Sequence, residues 1–482
     1  MAVSESCAIE APVAAAELAA HRRRWLGLSV LLAGSFMTVL DAMIVQLALP
    51  SIARDLEAGS AAIELIIAGY SLSYGVLLVT GGRLGDMFGR KHVYLIGMAA
   101  FTLASILCGL APNATTLVAA RVLQGATASL VLPQVLASIR VGFDGAERRR
   151  AFGLMGLVMG AASALGQLAG GVLISGDVFG LGWRLVFLVN LPIGILAVLA
   201  GMRWLDETRA PHGARLDPVG ILLATAGLSC LLGGLVGLHH LGLAKAGLLV
   251  LLSVPFFLWF GRYEARFEER GAMPLLSIRL LRLPTFIIGA LTVLVFYASC
   301  NSYYVSFAVF LQFGVGLTPF ESGILFTPIA AIFAATSILA PRLIGRYGTL
   351  VLRVSAFIYA LGYAGVWLIL ARAGAVPSLF VLMPVMLVIA AVQGFIMTPL
   401  LNVVLGALPE SHAGMAGGSI ATMQQVGNAL GIAVIGLVLF AAASGGAVGA
   451  LHPTEAVIGF ADAVLLEFVA AIAVYALLRR LR

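Results

Sequence analysis

Fourteen long apolar stretches divide this chain, and they restrict its fold more than any other feature of the sequence. Most hold about 20 residues or more, the length that a helix needs to cross the hydrocarbon core of a bilayer. They cover approximately residues 25–50, 62–81, 92–111, 116–140, 152–175, 184–204, 218–238, 246–262, 284–311, 321–341, 350–371, 378–400, 415–442 and 456–478. Only 11% of the residues are charged, whereas soluble domains contain about 25%. The sequence therefore predicts an all-α, polytopic membrane protein.

The positions of the basic residues predict how the chain crosses the membrane. If the N-terminus lies in the cytoplasm, 24 of the 29 lysines and arginines fall on the cytoplasmic side. Four lie in outer loops, and Arg121 lies within a stretch. This asymmetry follows the positive-inside rule and predicts fourteen helices with both termini cytoplasmic. It also accounts for the net charge of +7, so no nucleic-acid partner is expected.

Two polar loops, residues 205–217 and 263–283, bracket the seventh and eighth stretches. The second loop is basic and amphipathic, as expected for a segment lying at the headgroups. We therefore predict four regions: a cytoplasmic tail (1–24), a six-helix bundle (25–204), a linker with two extra helices and an amphipathic segment (205–283), and a second six-helix bundle (284–482).

The two bundles resemble each other in sequence. "GRLGDMFGRK" at 82–91 has a counterpart in "PRLIGRYGTL" at 341–350, "QG" at 124 recurs at 393, and "GQLAG" at 166 recurs as "GNALG" at 427. The three offsets are nearly equal and correspond to eight helices, an even number. The halves are therefore predicted to be parallel repeats, an arrangement typical of transporters.

Several motifs, in order along the chain, resemble those of the major facilitator superfamily and of its fourteen-helix drug:proton antiporters of the EmrB/QacA type. They are "LDAMIVQLALPSI" from residue 40, "GGRLGDMFGRK" from 81, "RVLQGATAS" from 121 and "GWRLVFLVNLPIG" from 182. The resemblance covers residues 25–478 and implies a fold of two six-helix bundles, here with two inserted helices. One departure is Gln167, which stands where the family's motif usually has a proline.

Asp41 is the residue most strongly predicted to couple transport to protons. It lies about nine residues inside the first stretch, roughly 13 Å deep, and buried acids in a membrane tend to mark ion or substrate pathways. Arg121 lies at a similar depth in the fourth stretch and is predicted to pair with it. Alternatives are that Asp41 is only a structural partner for a base, and that Arg121 is satisfied by carbonyl groups.

The loop between the second and third stretches is predicted to act as a conformational latch. Its acid and bases can pair across the loop and interact with helix ends, and its glycines permit a tight turn. The resemblance implies that this loop holds the two halves in one state, although its bases also set topology. The residues concerned are Gly82, Gly85, Asp86, Gly89, Arg90 and Lys91.

Small residues in the fifth and thirteenth stretches predict close helix packing at an interface between moving parts. Gln167 and Asn428 occupy equivalent repeat positions and would either line a cavity or hydrogen-bond between helices. The predicted interface comprises Gly166, Gln167, Gly170, Gly171, Gly427, Asn428 and Gly431.

A substrate cavity between the bundles is predicted to include Gln124, Gln393, Tyr303 and Glu467. Glu467 lies deep in the last stretch, where it would serve a second proton or a cation, or have only a structural role. The aromatic residues near Tyr303 would line this cavity or pack in the core. Glu64, Glu321 and Asp462 lie near outer helix ends and are expected to be solvated.

These features predict a proton-coupled efflux transporter of the bacterial inner membrane that exports lipophilic or cationic drugs by alternating access. The chain has no GxxxxGK[ST] phosphate loop and no CxxC pair, so neither ATP, another cofactor nor a metal is expected. The resemblance implies a monomer. Alternatives are an exporter dedicated to one endogenous metabolite or antibiotic, a proton symporter, and a membrane-embedded enzyme. The last would need a cluster of catalytic groups on facing helices, and none is evident.

Overall fold

The chain folds almost entirely into long helices in the computed structural model. The structure describes residues 3–177, 180–208, 217–236, 238–270, 274, 280, 283–373, 377–406, 413–441 and 452–481. Fourteen helices in this part of the chain are long and apolar enough to cross a membrane. The predicted all-α polytopic fold is therefore confirmed.

The first six spans form the N-terminal half. Its elements are α1 (Val3–Asp55), α2 (Ser60–Phe88), α3 (Arg90–Gly109), α4 (Ala114–Ala128), α5 (Leu132–Gly142), α6 (Gly145–Gly176), α7 (Leu185–Leu188) and α8 (Asn190–Trp204). We call the side where α2 meets α3 the basic face, and the side where α1 meets α2 the opposite face.

The inserted pair consists of α9 (Pro218–Val236) and α10 (Leu238–Glu269). The C-terminal half follows with α11 (Pro284–Val309), α12 (Pro319–Tyr347), α13 (Leu350–Ala373), α14 (Leu379–Gly406), α15 (Ala413–Ala441) and α16 (Pro453–Arg480). A single π-helical turn, Phe310–Gly314, extends α11.

Three helix boundaries differ from the sequence prediction. The fourth apolar stretch is broken into α4 and α5, and Pro133 stands in the first turn of α5, where its missing N–H group is tolerated. Helix α10 continues to Glu269, so residues 263–269 belong to a helix rather than to a separate surface segment. Residues 209–216 of the linker lie outside the described part, as do most of residues 270–283. Helix α1 already begins at Val3, within the predicted tail.

Glycines bring two helix pairs into backbone contact at equivalent places in the two halves. A side chain at Gly427 or Gly431 of α15 would overlap the carbonyls of Leu294 and Ala298 in α11. Gly166 and Gly170 of α6 lie against α1 in the same way. The fifth helix of each half thus packs on the first helix of that half, as parallel repeats require.

The two halves meet along α6 with α12 and along α2 with α15. Close backbone approach continues across these contacts, because a side chain at Gly171 would press on Pro319 and one at Gly75 would overlap Gln425. Hydrogen bonds also cross between α1 and α11, where Gln46 Nε2 donates to Asn301 Oδ1 at 2.7 Å. We call the α2–α15 contact, together with the adjoining parts of α1 and α11, the seam.

The inserted pair packs beside the seam. Helix α9 packs on α10 and also contacts both α2 and α15. Val76, Leu228 and Val426, one residue from each of the three helices, form a small apolar cluster there. The two extra helices are therefore in contact with both halves.

Candidate functional site

Asp41 lies in the interior of the N-terminal half. It is placed on the continuous helix α1, and its side chain is 0% exposed. A carboxylate in such a place needs polar partners, because burying an unpaired charge costs several kcal/mol. The arrangement around Asp41 supplies three of them, from helices α4 and α8.

Three donors hold the Asp41 carboxylate. Arg121 Nη1 donates to Oδ2 at 2.6 Å, while Gln124 Nε2 and Asn190 Nδ2 donate to Oδ1 at 2.9 and 2.8 Å. Because one donor is a guanidinium, the contact is an ion pair with charge-assisted hydrogen bonds. Arg121 and Gln124 come from α4, and Asn190 begins α8.

Arg121 is itself held on all sides and is 1% exposed. Its Nε donates to the carbonyl of Ile66 in α2 at 3.1 Å, and its Nη1 also donates to Gln124 Oε1 at 2.7 Å. The guanidinium carbon lies 4.2 Å from the centre of the Tyr70 ring, within the range of a cation–π interaction. Arg121 thus combines the two sequence interpretations, a pair with Asp41 and a bond to a carbonyl.

Ser105 of α3 completes the cluster. Its hydroxyl accepts from Gln124 Nε2 at 3.1 Å and from Asn190 Nδ2 at 2.9 Å, and it donates to the carbonyl of Phe187 at 2.9 Å. The sequence predicts neither Ser105 nor Asn190 as a site residue. Asn190 stood within the quoted motif "GWRLVFLVNLPIG", so a signal for it was present, whereas nothing marked Ser105.

The cluster links five parts of the N-terminal half: α1, α2, α3, α4 and the α7–α8 region. Removing one partner of a buried ion pair typically costs about 3–5 kcal/mol, because the other charge remains buried. Neutralising the carboxylate would remove the charge that holds Arg121 and would leave its other contacts in place. The arrangement is therefore chemically suited to respond to a single proton.

The predicted latch residues lie at the basic face, around the turn between α2 and α3. Gly89 joins the helices with φ of 100°, a conformation that favours glycine. Arg90 Nη2 bonds Asp86 Oδ1 at 3.1 Å across one turn. Gln134 of α5 donates to the carbonyl of Gly81 at 2.7 Å and lies where a side chain at Gly85 would be. Gly82 faces Pro133 in ordinary contact.

The start of the linker is bound to this turn. Glu207 Oε1 accepts from the Lys91 backbone N–H at 3.3 Å and from the Thr208 N–H at 3.0 Å, and Oε2 pairs with His92. Lys91 Nζ donates to the carbonyl of Met202 at 3.0 Å. The contacts described for the latch thus lie within the N-terminal half and residues 205–208. The sequence predicts only a polar linker for this segment.

The interface predicted for the fifth and thirteenth apolar stretches, which are helices α6 and α15, is distributed over several contacts. Gly171 faces α12 of the other half, whereas Gly166, Gly170, Gly427 and Gly431 face the first helix of their own half. Gln167 is buried, and its Oε1 has no hydrogen-bond partner among the described residues. Asn428 Nδ2 donates to Gln425 Oε1 at 3.1 Å within α15.

The four predicted cavity residues are buried within their halves in this conformation. Gln124 belongs to the Asp41 cluster. Gln393 Nε2 donates to the Tyr359 hydroxyl at 3.2 Å, and the Tyr303 ring stacks on Phe307 at 5.9 Å. Glu467 is 2% exposed and accepts from the Ser302 hydroxyl. The cavity role of these residues stays a prediction, because this conformation encloses them.

The expectation that Glu64 is solvated is wrong, because its side chain is only 3% exposed. It lies against Gly436 of α15, where any side chain would overlap its carboxyl group. Glu321 and Asp462 are exposed on the protein surface, and their contact with water stays a prediction. Glu321 completes a capping box with Thr318 at the start of α12.

Residues 31–432 match the Major Facilitator Superfamily. The chain is 35% identical to a probable actinorhodin transporter of Streptomyces coelicolor, over 87% of this chain and 73% of that protein. It is 33% identical to a puromycin resistance protein of Streptomyces alboniger (86% and 82%). It is 32% identical to a tetracenomycin C resistance and export protein of Streptomyces glaucescens (86% and 76%).

Solved structures show the same fold at low sequence identity. A bacterial homologue of the human lysosomal transporter Spinster aligns with a TM-score of 0.67 at 16% identity, over 94% of this chain and 96% of that one. A peptide transporter aligns with a TM-score of 0.68 at 12% identity, over 94% of both chains. With fourteen spans, two repeated halves and these relatives, the chain belongs to the major facilitator superfamily and, within it, to the fourteen-helix drug:proton antiporter type.

Proposed function

We propose that this chain exports lipophilic, often cationic compounds in exchange for protons, by alternating access of two six-helix halves. The observation that carries the proposal is the buried Asp41–Arg121 pair, joined by Gln124 and Asn190. Buried ionisable groups of this kind are rare inside membranes because they are costly, and they mark ion or substrate pathways.

The chemistry proposed for this site follows from its donors. While Asp41 is ionised, Arg121 is held between it and the Ile66 carbonyl of α2. A proton on Asp41 cancels the charge that attracts Arg121, so the contact between α1 and α4 weakens. Helix α2 also packs across the seam on α15, so a change at Arg121 has a direct physical connection to the contact between the halves.

The loop around Gly89 is proposed to stabilise one of the two states. In this conformation Asp86 and Arg90 bond to each other, and Glu207 and Thr208 bond to the turn. A change at the latch would therefore have to include the start of the linker that leads to α9.

The names of the relatives support antibiotics as the substrate class. One relative is a puromycin resistance protein, and another is a tetracenomycin C resistance and export protein. A further relative is named Multidrug resistance protein Stp, from Mycobacterium tuberculosis, and it is 31% identical over 85% of this chain and 74% of that protein. These names favour efflux over uptake by symport.

A second candidate function is export of one compound made by the same cell. The probable actinorhodin transporter and the tetracenomycin C export protein are named for single compounds, which favours this alternative. A transport panel separates the two functions. A broad exporter moves unrelated dyes and antibiotics, whereas a dedicated one moves a single chemical class.

We further propose that the protein works as a monomer in the bacterial cytoplasmic membrane, with both termini in the cytoplasm, and that it is not an enzyme. The proton gradient alone would drive it, without a cofactor. The basic face would be the cytoplasmic one, because most arginines and lysines lie there.

The test is transport in reconstituted vesicles with a pH gradient, with puromycin and ethidium as probes. Asp41→Asn is expected to lower gradient-driven transport about tenfold or more, because the proton-binding group is lost. Asp462→Asn is the matched control, because this exposed acid should leave transport unchanged.

Proton release on probe binding is measured in the same preparations with a pH-sensitive dye. We expect release to disappear in Asp41→Asn and to change in Arg121→Ala. Unchanged release in both variants would refute the assigned coupling site.

A further inference from the structure

Glu64 is a buried acid that the proposed mechanism does not use. It stands in the second turn of α2, about 6 Å along the helix from Ser60, near the opposite face. Its carboxyl group packs directly on the backbone of Gly436 in α15, where any side chain would overlap it. Glu64 belongs to the N-terminal half and Gly436 to the C-terminal half, so this contact crosses the seam.

The pocket around Glu64 is apolar on every side. Helices from both halves form it, and Oε2 of Glu64 has no hydrogen-bond partner among the described residues. An ionised carboxylate without a partner is strongly disfavoured in such a pocket, whereas a neutral carboxylic acid is tolerated. The lining includes Leu49, Ile63, Ile67, Val305, Ile432 and Leu439.

Among the described residues, the charged groups of α1 on this side have partners elsewhere, and Asp55 pairs with Arg184 at 2.7 Å. On α1, Asp41 pairs with Arg121 of α4, and Arg54 lies over the Phe313 ring. The titratable side chains of α11 include Tyr303, which packs on Phe307 in the C-terminal core, and Cys300, which contacts Tyr359. Helix α15 has no titratable residue in its sequence.

We propose that Glu64 is a second proton-binding site, distinct from Asp41, which takes up a proton from the solution at the opposite face whenever the halves close over it. When the seam opens on that side, water reaches the carboxyl group and the proton can leave. Closure therefore requires a proton from outside, and external acidity favours the closed seam. This inference rests on the proposed alternating access, but not on Asp41 being the coupling site.

The test measures opening at the opposite face without any substrate. Spin labels are placed at two exposed positions on that face, Thr115→Cys in the N-terminal half and Ser378→Cys in the C-terminal half. The four natural cysteines are replaced by alanine. The chain also carries Asp41→Asn, so that titration of Asp41 cannot contribute. Distance distributions in nanodiscs then give the ratio of closed to open molecules.

One linked proton changes this ratio by up to about tenfold per pH unit, and we expect the closed form to increase as the pH falls from about 9 to about 5. With Glu64→Gln, the side chain is neutral at every pH, so the seam should remain closed and the ratio should change less than about twofold. Glu64→Asp should retain the response, which checks that substitution at this position is tolerated. Glu57→Gln, a change at an exposed acid in the preceding turn, is the matched control.

A Glu64→Gln chain that keeps the full pH response would overturn the proposal. So would a parent chain that stays closed throughout the range, because the seam would then accommodate the ionised carboxylate. Neither result depends on probe transport by Asp41→Asn, so this proposal and the proposed coupling site can fail separately.

Discussion

The Asp41–Arg121 pair allows the cost of one buried charge to be worked out and measured. Replacing Arg121 with methionine removes the cation but keeps a side chain of similar length among Tyr70 and Phe187. Breaking a buried ion pair from one side costs about 3–5 kcal/mol. Two of the three donors to Asp41, Gln124 and Asn190, remain in place. We therefore expect Arg121→Met to lower the free energy of unfolding by about 3 kcal/mol, the low end of the range.

The double variant Asp41→Asn/Arg121→Met tests the physical reason. With the carboxylate gone, no unpaired charge remains in the core, so the double variant should be more stable than Arg121→Met alone. We expect a coupling energy of about 1–2 kcal/mol between the two positions. Stability is measured by reversible unfolding in mixed micelles with increasing SDS, followed by tryptophan fluorescence.

An exposed arginine is the control for this measurement. Arg148 pairs with Asp144 on the surface one helical turn away, and Arg148→Met should cause no measurable loss of stability. The reasoning is refuted if Arg121→Met changes stability as little as Arg148→Met does. It is also refuted if the two single effects simply add in the double variant, because the charges would then be independent.

Two further predictions concern helix packing and the latch. Gly431→Val should prevent α15 from packing on α11, because the Ala298 carbonyl occupies the place of the new side chain. Thermal unfolding should show a strong loss of stability. Gly247→Ala is the control and should cause no such loss, because the space around Gly247 is open. Glu207→Gln should weaken the contact of the linker with the Lys91 and His92 turn, and faster hydrogen exchange at residues 89–93 would reveal it. Unchanged exchange there would contradict this role of Glu207.

The sequence predicts the number of spans and the internal repeat well, because both depend on local properties. Apolar length alone determines whether a segment can cross a bilayer, and the equivalent glycines in α6 and α15 face equivalent partners. The break between α4 and α5 was missed, even though Pro133 was visible, because a proline near a helix start and one that breaks a helix look alike in an apolar stretch.

The details of the candidate site were less predictable, because they depend on which sides of the helices pack against each other. The distance of Glu64 from the helix end suggested contact with water. Its burial results from Gly436, a residue far along the chain that leaves room for the carboxyl group. Ser105 is an ordinary serine in an apolar stretch, and only the fold brings it to Gln124 and Asn190.

The position of the inserted pair has a mechanical consequence. Leu228 of α9 lies in one apolar cluster with Val76 from one half and Val426 from the other, so these two extra helices are not an inert spacer. If the halves slide past each other at this place, α9 must either move with one half or lose its packing contacts with both. Excising the pair would therefore alter the balance and the speed of the movement, even though no charged group would be lost from the Asp41 cluster.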